Sequence, residues 1–261
     1  MTAQTPSRKP GVIAQQDGDT VTLFLNRPER HNALARYVHH DLGTAIDALR
    51  DEQGVCFVVL RGSGDTFSSG GDLDELRSGL PIDYLQDYWA RMEASVLALR
   101  RLPHVVISAV SGAAVGAGAA LALAADIVIA ETDARWRFSF GHVGFVPDAG
   151  STLSIARSGG GALARDLLLT GRWMSSEEAH RSGLIARLAL PGELDRTVAQ
   201  LLDELRQSPA ISLAMTKDLI ENLTNPDFAA SVRTEGVYQS SIGTNAHHRA
   251  HLTQRFGRLD D

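Results

Sequence analysis

At 261 residues and 28.0 kDa, the chain is long enough for one large domain with a substantial core. Hydrophobic residues at 44% and charged residues at 21% exclude a mainly disordered protein. A formal net charge of −6 removes any general attraction to nucleic acid or anionic membranes, and the single cysteine, Cys56, excludes an internal disulfide and a cysteine-rich metal site and fits a reducing, cytoplasmic setting.

Residues 1–10, MTAQTPSRKP, are polar, lack the apolar core of a signal peptide, and read as a flexible arm. GVIAQQ and TVTLFLN flank the turn DGD and predict a hairpin. Leu34, Val38, Leu42, Ile46 and Leu49 recur at helical spacing and predict a helix over 34–50. CFVVLRG reads as a buried strand, and 83–101 as a second helix. Residues 105–125 carry no charge and spell GxxxG at 112–116, but their Ala, Gly and Ser content argues against a membrane span. That run divides into a strand (VVISAV), a turn (SGAAVG) and a small-residue helix over 116–124. DIVIAE is another strand, short helices follow Gly144, a helix over 175–182 is preceded by a cap, and LIARLAL is a last strand. Prolines open three further helices, 191–207, 209–222 and 226–243. Alternation of strand and helix predicts an α/β core over 11–190 with largely parallel pairing. The helical region over 191–261 should pack on that core or on a neighbouring subunit.

Several chemistries are absent. No GxxxxGK[ST] phosphate loop occurs, and no GxSxG nucleophile elbow. A dinucleotide site around Gly116 and Gly118 fails at its third glycine position, Leu121, and Asp126 follows too soon for a ribose contact. His247, His248 and His251 lack a nearby acid and read as a solvated face rather than a metal site, as do His39 and His40; no metal is expected. Two glycine-rich segments are more informative: FSSGGDL (67–73) and SGAAVGAGAALALAAD (111–126). Each sets backbone amides at a strand-to-helix turn, where N–H groups have no internal partner and the helix dipole favours negative charge. Facing one another, they would form an oxyanion hole from main-chain amides; alone, either could serve only close packing.

With those segments in view, the sequence resembles the crotonase superfamily, the enoyl-CoA hydratase/isomerase family. The matching pieces are NRPERHNAL (26–34), VVLRGSGDTFSSGGDL (58–73), SGAAVGAGAALALAADIVIAE (111–131), GFVPDAGSTLSIAR (144–157) and LTGRWMSSEEAHRSGLI (169–185), in order over about residues 11–256. The resemblance implies a ClpP-like α/β spiral of β-β-α turns with two roughly perpendicular sheets, and a C-terminal helical region used in trimerisation. It implies acyl-CoA thioester substrates in fatty-acid or aromatic-acid metabolism, coenzyme A as part of the substrate and no permanently bound cofactor. A homotrimer or a dimer of trimers is implied, with no nucleic acid or membrane partner. By position, the oxyanion amides belong to Gly71 and Ala117. Arg30, His31 and Ala33, the turn Ser69, Gly70, Asp72 and Leu73, and Gly116 and Gly118 would lie along the substrate. Phe140, His142 and Trp136 are candidates for the acyl pocket, with core packing the other reading.

Two departures bear on the reaction. The glutamates of the family's hydratases fall here on Ala120 and Phe140, so neither a base for water nor its partner acid is present. One acid remains at a telling place, Asp148 in VPDAG, where ring-1,2-epoxyphenylacetyl-CoA isomerases and related enoyl-CoA isomerases also carry Asp. Capping of the following helix is the structural reading of Asp148; the catalytic one makes it a single base that shuttles a proton while the two amides hold the enolate. Its neighbours Phe138, Phe140, Phe145 and Val146 would desolvate it. A hydratase, a hydrolase or dehalogenase with Asp148 as nucleophile, and a non-catalytic CoA-thioester binder are the alternatives. The second departure is Asp74, at a place where the family often has a phosphate-binding Lys; Arg30, Arg249 or Arg255 would have to serve instead.

Overall fold

The computed structural model describes residues 8–50, 52, 54–77, 81–208 and 210–224, and beyond them 228–229, 232–233, 236–237, 240, 249–250, 253 and 257. The chain runs β1 (Val12–Asp17), β2 (Thr20–Leu25), α1 (Arg36–Leu49), β3 (Phe57–Gly62), α2 (Leu73–Arg77), α3 (Ile82–Arg100), β4 (Val105–Val110), β5 (Ala113–Val115) and α4 (Ala117–Leu123). It continues through β6 (Ile127–Glu131), β7 (Arg135–Arg137), α5 (Ser151–Thr170), β8 (Trp173–Ser175), α6 (Ser176–Arg181), β9 (Arg187–Ala189), α7 (Leu194–Leu205) and α8 (Ala210–Thr224). One sheet has the order β1-β2-β3-β4-β6-β9, antiparallel only in the hairpin β1–β2, and a smaller one the order β5-β7-β8. This is the two-sheet α/β spiral the resemblance implied.

The central strands β3 and β4 of the large sheet are buried on both faces, so they are apolar nearly throughout rather than alternating. Successive side chains still part to opposite sides. Val58, Leu60, Val106 and Val110 face the main core beneath α1, α3 and α4, whereas Phe57, Val59, Ile107 and Ala109 meet Leu194, Val198, Leu201 and Leu202 of α7. On α1 the buried residues are Val38, His39, Leu42, Ile46 and Leu49, the inner stripe that the spacing predicted. His39 belongs to that stripe and is buried, correcting the expectation of a solvated histidine face. Phe228 and Val232, from the helical region, join the main core.

Differences from the sequence expectations arise where elements are short. SGAAVG contains β5, which pairs with β7, and the sequence predicts neither β7 nor β8: three residues carry too little periodicity to be read. The short helices expected after Gly144 form one element, α5, broken at Gly160, whose φ of 82° and ψ of 162° are not helical. Helix α1 begins at Arg36 because Leu34 is engaged in a bridge to Gly71. Helix α7 begins at Leu194, three residues after Pro191, and Ser175 is itself the cap of α6, accepting from the Glu178 N–H. Residues 1–7 of the expected arm, most of 226–243, and His247, His248, His251 and Arg255 lie outside the described residues. Lys217 of α8 binds Asp126 at 2.8 Å and donates to the His104 carbonyl at 3.0 Å, fastening α8 to the sheet. Among the described residues, no helix is long and apolar enough to cross a membrane.

Candidate active site

The two glycine-rich segments are stitched together. Ser68 N–H donates to Ala113 O at 3.1 Å and Val115 N–H returns a bond to Ser68 O at 2.9 Å, a parallel bridge between the first segment and β5. The approach requires glycine. At Gly70, φ is +88° and a Cβ would lie 2.6 Å from Val115 O; at Gly118, a Cβ would lie 2.6 Å from Ser68 Cβ. Ser68 Oγ closes the joint, donating to Asn32 O at 2.8 Å and accepting from Gly70 N–H at 3.1 Å.

Leu34 forms a second parallel bridge, to Gly71. Its N–H donates to Gly70 O at 2.7 Å and its carbonyl accepts from Asp72 N–H at 3.4 Å, so the ladder passes over the Gly71 N–H. Ala117 is the first residue of α4, where an N–H has no intrahelical acceptor. Gly116, at φ 53° and ψ −126°, makes the turn into that helix. Gly71 and Ala117 both line a cavity of about 100 Å³, together with Asp148 and the rings of Tyr88, Trp89 and Phe140. Ser69, Leu73, Gly116 and Phe145 complete the part of its wall that bears on the sequence reading.

Asp148 is 2% exposed and is the one carboxylate on that wall among the described residues. The N-cap position of α5 is held by Gly150, two residues beyond Asp148. Ala149 and Gly150, both left-handed, swing the chain from Asp148 into α5, while Asp148 O accepts from Ser151 N–H at 2.9 Å. The Tyr88 hydroxyl donates to Leu34 O at 2.6 Å. Burial, with the negative charges of Asp148, Glu75 and Asp72 adding, holds the Tyr88 phenol well above its ordinary pKa, so it stays protonated and donates. His39 packs edge-on against the Tyr88 ring at 5.3 Å; burial lowers its pKa to about 3, so it is neutral.

Alongside the cavity, the segment 27–34 forms a second framework. Arg27 donates to Asp72 and to the Ala33 carbonyl, both at 2.8 Å, and Asp72 accepts from the Asp74 and Glu75 N–H groups at the start of α2. Asp72 thus supports the turn and is not on the cavity wall. Asn32, left-handed at φ 54°, accepts from Arg27 N–H and donates to Ser63 O and Thr66 O. His31 O accepts from Ser69 N–H at 2.8 Å. Arg30 is exposed and ion-paired with Asp74 at 2.9 Å.

Other candidates stand apart. Ala120 is buried in α4, off the cavity wall, whereas Phe140 is on it. His142 is not on the wall: its Nδ1 accepts from Arg137 at 3.0 Å and its Nε2 donates to Thr170 O at 2.8 Å. Trp136 is core, donating to Ser176 Oγ at 3.1 Å. Tyr88 and Trp89 are missed by sequence reasoning; their only signal is the buried stripe of α3, which reads as packing. No group of three His, Cys, Asp or Glu side chains that could hold a metal occurs among the described residues.

Comparison with known proteins gives a consistent result. The family model described as enoyl-CoA hydratase/isomerase matches residues 17–256. The chain is 33% identical to the 1,2-epoxyphenylacetyl-CoA isomerase of Escherichia coli K12 over 242 residues, 91% of this chain and 92% of that one. It is 30% identical to the trans-2-decenoyl-acyl-carrier-protein isomerase of Streptococcus mutans, covering 80% of this chain and 81% of that one. Among solved structures, an enoyl-CoA hydratase from Bacillus halodurans superposes with a TM-score of 0.88 at 26% identity, over 94% of this chain and 99% of that one.

Proposed function

The chain belongs to the enoyl-CoA hydratase/isomerase family, and from that premise we propose that it is an acyl-CoA isomerase that moves a double bond through an enolate. The observation that carries this reading is the cavity wall, where one carboxylate, Asp148, shares a mostly apolar space with the turns of Gly71 and Ala117. The thioester carbonyl oxygen accepts from the two amides. Asp148 removes a proton from the carbon next to the carbonyl of a 3-enoyl thioester. The electron pair delocalises through the existing double bond onto the oxygen, where the two donors stabilise it. Asp148 then returns the same proton at the far end of the conjugated system, leaving a 2-enoyl thioester. One base suffices and no water adds. Hydration needs groups to activate water and protonate the α-carbon, and Ala120 and Phe140 supply neither.

Two relatives are named as isomerases, one of an aryl-acetyl-CoA derivative, in keeping with an isomerase reading. The cavity, smaller than an apolar one of about 150 Å³ that holds benzene, suits a short acyl group. On the same reading the substrate is an acyl-CoA thioester, no resident cofactor takes part, and the chain works as a homotrimer or a dimer of trimers, which solution mass measures. The direct test mixes the protein with a 3-enoyl-CoA and follows the absorbance of the conjugated 2-enoyl product. Asp148→Asn should lower the rate at least about 100-fold, the scale of a lost general base, while leaving thioester binding intact. Wild-type turnover retained in that variant would remove Asp148 from the mechanism.

A further inference from the structure

The Gly71 N–H belongs to the same peptide plane as the Gly70 carbonyl. In a trans peptide these two groups point in opposite directions, so whatever fixes one aims the other. The Gly70 carbonyl is fixed by Leu34 N–H at 2.7 Å. The aim of the Gly71 N–H therefore depends on where Leu34 sits. Leu34 is held in turn through its own carbonyl, by Asp72 N–H at 3.4 Å and by the Tyr88 hydroxyl at 2.6 Å. Of these the phenol bond is the short one, and it comes from a different element, α3, independent of the turn it steadies. The ring that carries it is confined: His39 meets it edge-on at 5.3 Å and Trp89 at 4.7 Å. The phenol oxygen also stands 3.4 Å from the position a Gly71 Cβ would take, so it backs the turn as well as bonding beneath it.

We propose that Tyr88 is a positioning residue for the Gly71 amide: its hydroxyl anchors the Leu34 carbonyl, and Leu34 in turn sets the peptide plane whose N–H faces the thioester oxygen. This rests on the reading of Gly71 and Ala117 as the oxyanion donors. Loss of the hydroxyl leaves Leu34 O with the 3.4 Å bond alone, and the peptide plane can then rotate. A donor aimed at the developing oxyanion contributes most in the transition state, so misaiming lowers kcat more than it weakens binding.

The test compares the full-length wild type with Tyr88→Phe in three measurements. The first is kcat and KM for a 3-enoyl-CoA; the second is the ultraviolet absorbance of the enolate formed by a bound 3-ketoacyl-CoA; the third is the melting temperature. Deleting an oxyanion donor outright costs about 100- to 1,000-fold. Tyr88→Phe, which misaims one rather than removing it, should lower kcat roughly tenfold, change KM by less than about threefold, and shrink the enolate band in proportion to kcat. Undiminished kcat and enolate band in a folded variant would overturn the proposal while leaving the isomerase reading intact. A fall in kcat matched by equal weakening of thioester binding, with the enolate fraction of the bound ligand unchanged, would assign Tyr88 a structural role only. A wild type that neither isomerises the substrate nor shows an enolate band would overturn the underlying reading, and the proposal with it.

Discussion

His39 shows how one side chain in the core of this protein couples stability to pH. It is buried, and desolvation lowers its pKa from 6.5 to about 3. The unfolded chain therefore binds a proton near pH 6.5 that the folded chain refuses until about pH 3. Above 6.5 both states are neutral and the residue contributes no pH dependence. Between 6.5 and 3 stability is lost as the pH falls, at up to about 1.4 kcal/mol per pH unit for one proton. His39→Leu should flatten this acid limb, seen as a smaller difference in urea midpoint between pH 7 and pH 4.5 than in the wild type; equal differences would show that His39 does not contribute. Gly71, Ala117 and Asp148, which line one cavity, are legible as candidates in the sequence itself because they stand in ordered motifs. Tyr88, Trp89 and His39 are not. Their partners lie far away in sequence, as Tyr88 does from Leu34, and an aromatic ring on the inner stripe of a helix looks the same whether it lines a cavity or fills a core.

Helix α2 shows what a change of charge does to a single element. Asp72 caps it by accepting two of its first N–H groups, and the partly buried Arg27 holds Asp72 in place. Two residues on, Asp74 occupies Arg30 on the surface. A phosphate arriving at Arg30 must displace that carboxylate and meet its negative charge. Asp74→Asn should therefore tighten binding of coenzyme A by a few-fold, matching the up to about 1 kcal/mol associated with an exposed pair. Calorimetric titration at low salt measures it, and unchanged affinity would place the phosphates away from Arg30. The longer elements are readable from their periodicity, α1 and the buried strands best of all. The three-residue strands β5, β7 and β8 are not, because the small sheet is defined by pairing across distant segments rather than by any local pattern.

Across the whole molecule, strand–helix alternation correctly announces a parallel sheet, but not how the C-terminal helices attach. Part of that attachment is a single cation. Lys217 pairs with Asp126, which also accepts from Val106 N–H, and donates to the carbonyl of His104. Burial raises the pKa of Asp126 even with Lys217 and the Val106 N–H opposing it. Lys217→Met removes an opposing charge, so the folded pKa of Asp126 should rise further. A raised carboxylate pKa leaves stability intact below the unfolded value and erodes it as pH climbs through the folded one. The variant should therefore be nearly as stable as wild type near pH 4 and weaker by roughly 1–3 kcal/mol at pH 7, between the costs of breaking an exposed and a buried pair. A deficit independent of pH, followed by urea denaturation, would contradict that account.

The same lysine has a chemical consequence. Thioesters are acylating agents, and free amines are their usual accidental targets. In a sequence with 25 basic residues, Lys9 and Lys217 are the two lysines; the other cations are arginines. The Lys217 amine lies against two oxygens and its side chain is 11% exposed, leaving little room for an acyl carbon to approach. The body of the protein between those two lysines therefore offers no ammonium side chain to a reactive acyl donor, and its exposed cationic surface is carried by guanidinium groups that do not compete for the acyl group.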